Sequence, residues 1–142
     1  MKNRKYHFEQ LSITFKEASN PYLIEKAEDV PFHEVYKVIE EAVLGERLEQ
    51  LQVFYDHENY SMDIDAEGFR STILIHDELH GISYDFLNEK YTDNEEWVEI
   101  AGYTFPQNSI CEDNNILLDI IVTFLETGKP CEKYEWSETK EN

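Results

Sequence analysis

The chain has 142 residues, 41% hydrophobic and 13% aromatic, enough for a packed core and too apolar for a disordered acidic tail. Its 31 acidic and 12 basic residues give a formal net charge of −19, which repels nucleic acid and anionic membrane surfaces and attracts basic proteins. No apolar stretch follows the basic start Met1-Lys2-Asn3-Arg4-Lys5, and no run of about 20 apolar residues occurs, so the expectation is one cytoplasmic domain over residues 1–142 with no signal peptide and no membrane partner.

Leu11, Ile13 and Phe15 alternate with Ser12, Thr14 and Lys16, the period of a half-buried strand. After Ser19-Asn20-Pro21, residues Tyr22 to Ala27 are expected to form a second strand of a hairpin. Asp29 and Pro31 open a helix whose apolar stripe is Phe32, Val35, Tyr36, Ile39, Ala42 and Val43. Gly45 stops it, with fraying possible into Glu46 to Gln50. The period then changes from 3.6 to 2. Leu51 to Tyr55 reads as a strand, Asp56-His57-Glu58-Asn59 as a turn, and Tyr60 to Ala66 as a strand with Ser61, Asp63 and Asp65 on its second face. Ser71 to His76 is apolar and β-branched and reads as central; Ile82, Tyr84 and Phe86 form the next inward set. Asn88 to Glu96 is a polar, acidic loop.

Val98 to Trp136 is the best-specified stretch. Val98 to Tyr103 reads as one strand, and Ser109-Ile110-Cys111-Glu112 has the form of a capping box. Ile116, Leu117, Ile120, Ile121, Phe124 and Leu125 follow at helical spacing, until Gly128 and Pro130 end the helix. A short strand ending on Trp136 is expected to bury that ring against the helix stripe. Strands on short turns with helices before and after imply an α+β fold, an antiparallel meander carrying an N-terminal-half helix and a C-terminal helix.

Motifs for chemistry are weak. His76-Asp77-Glu78-Leu79-His80 misplaces the glutamate of a helical zinc-protease motif, and its strand-like neighbours make it span a turn. Asp63-Ile64-Asp65-Ala66-Glu67-Gly68 opens like a calcium loop, but Leu74 stands where a bidentate glutamate is needed. Cys111 and Cys131 form no C-x-x-C pair and read as reduced packing residues. No phosphate-cradling glycine loop is present, and the chain has five glycines. The expectation is therefore no catalytic residue, no metal and no cofactor.

What remains is an acidic surface bearing aromatics. Asp56, Glu58, Asp63, Asp65, Asp85, Asp93, Glu95 and Glu96, with Tyr60, Tyr91 and Trp97 as anchors, form the candidate binding set.

The C-terminal segment resembles a large family of bacterial immunity proteins of polymorphic-toxin and contact-dependent systems. Gly102, Pro106, Phe124, Thr127, Gly128, Pro130 and Trp136 hold the matching places, over about the last 40 residues. The resemblance implies a non-enzymatic antitoxin that neutralises a cognate basic toxin domain, a nuclease or deaminase. An acidic adaptor or nucleic-acid mimic is the alternative reading, followed by a hydrolase with a metal at His76 and His80.

Overall fold

The computed structural model describes residues 8–17, 20–91 and 96–140. The described residues form ten strands and two α-helices: β1 (Phe8–Phe15), β2 (Tyr22–Ile24), α1 (Phe32–Leu44), β3 (Leu48–Tyr55), β4 (Tyr60–Glu67), β5 (Arg70–Asp77), β6 (Ile82–Phe86), β7 (Trp97–Ile100), β8 (Tyr103–Pro106), β9 (Ile110–Cys111), α2 (Asn114–Thr127) and β10 (Trp136–Lys140). The main sheet runs β10-β6-β5-β4-β3-β1-β2, with β9 added beside β5, and every pairing is antiparallel. The fold is α+β, as the strand and helix periods imply.

Strands β1, β3, β4 and β5 donate alternate residues to one face. Leu11, Ile13, Leu51, Val53, Met62, Ile64, Ile73 and Ile75 are buried there together with Val35, Ile39, Ala42 and Val43 of α1 and Leu117, Ile120, Ile121, Phe124 and Leu125 of α2. Burying one such aliphatic or aromatic side chain contributes about 1.5–3 kcal/mol, so this helix-covered layer dominates the stability. Both cysteines are free, buried thiols.

The second face is covered only in part. Ile110 is registered opposite Thr72, on the face away from the helices, and both Ile110 and Ile100 are fully buried outside the helix-side cluster. The β7–β8 hairpin contacts β4 and β5 and supplies that cover.

Local details depart from the sequence reading in five places. Residues Val98 to Tyr103 are not one strand: Ala101 (φ 51°) and Gly102 (φ 88°) make a two-residue turn with both φ angles positive, the twist that closes a tight hairpin. Ser109 does not cap α2, because Ile110 and Cys111 are first used to pair with β5. Its hydroxyl donates to the Pro106 carbonyl at 2.7 Å, and Asp113 is the cap, Oδ1 accepting from the Asn115 and Ile116 amides at 2.8 and 3.4 Å. The second strand ends at Ile24, followed by a 3-10 turn over Ala27–Asp29. No fraying follows α1, because β3 begins at Leu48. Gly45 does end that helix, though with φ −82°: a Cβ there would lie 2.6 Å from the Glu41 carbonyl oxygen.

Trp136 begins its strand rather than ending it, and is half-buried. Its ring packs edge-on against Phe86 at 6.0 Å, and its indole N–H donates to the Cys131 carbonyl at 2.9 Å. The preceding turn is held to α2 by the Tyr134 hydroxyl, which donates to Asp119 at 2.9 Å. Burial and that hydrogen bond push the Tyr134 pKa up to about 12.

Candidate functional site

The strand register divides the expected binding residues between surfaces. On the face away from the helices, Gln52, Asp63, Leu74 and Asp85 form one row across four strands, and Gln50, Asp65 and Thr72 form the next. Gln52 donates to Asp63 at 2.8 Å. Burial, then the charge of Asp63, raises the Asp65 carboxyl above the ordinary carboxylate range. Burial raises Asp85 likewise, with His76 pulling the other way. His76 lies in an adjoining row, its Nδ1 3.1 Å from the Ser83 hydroxyl.

Asp56 and Glu58 sit at the end of the sheet, in the turn between β3 and β4. Asp56, His57 and Glu58 all have positive φ, of 53°, 52° and 69°. The Asn59 amide donates to the Asp56 carbonyl at 2.9 Å and the His57 amide to Glu9 at 3.0 Å, which holds the strained turn. Among the described residues, ligand atoms of Glu9, Asp56 and His57 come within 4.8 Å of one another at this exposed turn. His76 and His80 do not join them: His76 faces Ser83, while His80 Nδ1 is 2.9 Å from Asp77. Asp63 and Asp65 are strand residues rather than parts of a loop.

Tyr91 is committed internally, its hydroxyl donating to Glu112 at 2.8 Å. Glu96 accepts from the Gln107 amide through its backbone carbonyl at 2.9 Å. Trp97 is 67% exposed at the start of β7. Asp93 and Glu95 lie outside the described residues.

Tyr60, one of the expected anchors, lines a sizeable groove. This groove, of about 610 Å³, lies on the helix-side face where the C-terminal end of α2 stops short of the sheet edge. The register builds its floor: Tyr60, Asp77 and Ile82 form one row, Ile75, Tyr84 and Glu138 the next, and Trp136 pairs with Phe86 in the row beyond. Gly128, Lys129, Pro130 and Glu132 form the wall opposite. Three rings therefore stand among three carboxylates. Both phenols feel this: burial and then Asp77 raise Tyr60, with smaller contributions from Asp56 and Tyr55, while burial, Glu138 and Asp77 raise Tyr84. Asp77 is held by His80.

Sequence reading did not find Tyr84, Glu132, Trp136 or Glu138 as surface candidates. Alternation puts Tyr84 in an inward set, and Trp136 is expected, as the close of the C-terminal segment, to be buried against the helix stripe. The available signal was the Trp-Ser-Glu-Thr-Lys alternation at the C-terminal end, which marks a one-sided strand once its neighbour is known.

The chain matches no protein-family model, no curated protein and no solved structure. Among the described residues no helix is long and apolar enough to cross a membrane.

Proposed function

We propose that the protein is an immunity protein: it binds a basic toxin domain and neutralises it stoichiometrically, without catalysis. The observation that carries this is the −19 charge together with aromatic rings set among carboxylates in an open groove. A strong negative field speeds capture of a basic partner, and ring contacts slow its escape. The C-terminal resemblance to bacterial immunity proteins points the same way, and three of its matching positions, Gly128, Pro130 and Trp136, line that groove.

The test is co-expression with the product of the gene adjacent to this protein's own, assayed for toxicity. Expected are a purified complex, cells protected from the toxin, and an association rate that falls steeply between 0.1 and 1 M salt as the Debye length shrinks from about 10 to about 3 Å. Toxicity unaffected by excess protein would overturn the proposal. Catalytic turnover of the toxin at substoichiometric protein would do the same.

A further inference from the structure

We infer that the groove at the C-terminal end of α2 is a seat for one arginine side chain of a protein partner; this rests on the antitoxin reading for the partner's identity and on the groove alone for its chemistry. The groove has the two components that guanidinium recognition needs. Its rings, Tyr60, Tyr84 and Trp136, offer faces and edges against which a flat cation can stack, and Asp77, Glu132 and Glu138 surround them with negative charge. Tyr84 and Glu138 are direct cross-strand neighbours across the row from Ile75 through β6 to β10, so the ring and carboxylate are placed side by side.

The carboxylates are available. Glu132 and Glu138 are exposed and make no ion pair with a described residue, whereas Asp77 is already engaged by His80. Lys129 is the opposing charge in the lining, on the wall beyond the end of α2. A guanidinium fits better than an ammonium here, because it is weakly hydrated, stacks on rings and can meet carboxylates with two parallel donors. At about 610 Å³ the groove admits a long side chain with part of its flanking backbone. The −19 charge of the chain selects a cationic occupant over an acidic or neutral one.

The probe is the peptide acetyl-Gly-Arg-Gly-amide, compared with its lysine and citrulline counterparts, titrated into the intact protein and followed by NMR. The reporter is the Trp136 indole N–H, whose hydrogen bond to Cys131 gives it a fixed position at the groove. The arginine peptide is expected to shift that signal and to bind about tenfold more tightly than the citrulline peptide, with lysine between them. Glu132→Lys with Glu138→Lys should abolish the shift. The pair Glu25→Lys with Glu49→Lys, exposed residues away from the groove, changes net charge equally and should leave most of it. Lys129→Met should tighten binding. An unmoved indole signal, equal binding of the citrulline or lysine peptide, or equal loss in both charge-reversed pairs overturns the assignment. With the toxin in hand, the groove pair should raise dissociation more than the control pair does. Toxin binding that is indifferent to the groove pair removes the seat and leaves the antitoxin reading standing. Arginine binding at Trp136 without toxin binding does the reverse.

Discussion

Replacing Gly128 by alanine tests how the end of α2 is stopped and what the stop rests on. Gly128 is left-handed, with φ 70°, and its amide closes the helix by donating to the Phe124 carbonyl at 2.8 Å. An L-residue in that conformation costs about 1–2 kcal/mol, offset by about 0.4–1 kcal/mol because alanine restricts the unfolded chain. The added Cβ would also lie 3.1 Å from Cδ1 and Cε1 of Tyr55 and 3.2 Å from its Cγ. The ring must give way by a few tenths of an ångström, and overpacking of this kind costs about 1–3 kcal/mol. Gly128→Ala should therefore lose about 1–4.5 kcal/mol, centred near 3, a large share of the roughly 5–15 kcal/mol of a typical domain. Gly102→Ala separates the two contributions: φ there is 88°, but no atom lies within 4 Å of the new Cβ. It should lose only the backbone part, about 1 kcal/mol. Urea unfolding followed by circular dichroism measures both, at unchanged dependence on denaturant. If Gly128→Ala costs no more than Gly102→Ala, the ring contact is not felt and the reasoning fails. Tyr55 also meets Tyr60 edge-on at 5.7 Å, so a displaced Tyr55 should be read at the groove as a change in the Trp136 indole response.

Other outcomes follow from single side chains. Asp113→Ala should cost about 1 kcal/mol by uncapping α2, whereas Ser109→Ala should stay within about 0.5 kcal/mol; equal costs in thermal unfolding would put the cap back at Ser109. Glu58→Gly should stabilise the protein by about 1 kcal/mol, because a non-glycine residue at φ 69° is strained in an exposed turn; a loss of stability in the same urea assay counts against strain there. The Asp65 pKa is raised in the fold, so the folded state holds this proton more tightly than the unfolded chain does. Stability from that proton is complete below the ordinary value of 3.8 and is lost as pH rises through the folded pKa. At neutral pH the ionised carboxylate is thus a cost, and Asp65→Asn should melt higher than wild type at pH 7, with the gain shrinking as pH approaches 4. An exposed control, Glu49→Gln, should gain less; an equal gain would assign the effect to net charge alone.

Local sequence carried the elements whose cause is local. Period two marks β1, β4 and β6, an apolar β-branched run marks β5, period 3.6 marks both helices, and Gly128 and Pro130 stop α2 where it does end, since a glycine can turn left-handed and a proline cannot continue a helix. Elements decided by a distant partner were not legible. Ala101 is a poor residue for a left-handed turn, so nothing local announced the β7–β8 hairpin; packing on β4 and β5 buries Ile100 and sustains it. Ser109 has the better capping pattern, but Ile110 and Cys111 are drawn into pairing with β5, and the helix begins later, at the next residue able to cap it.

The candidate surface divides along the same line. Acidic charge and aromatic content belong to composition, and with them the kind of partner that the field favours. Which acids share a surface depends on register, because alternation along a strand sends neighbours to opposite faces. Asp63, Asp65 and Asp85 went to one face and Tyr60 to the other. The groove exists only because β10 pairs with β6 and brings Trp136 and Glu138 beside Tyr84, under the end of α2. No local pattern encodes a contact between segments so far apart in the chain; hydrogen bonding of one sheet edge to a late strand decides it.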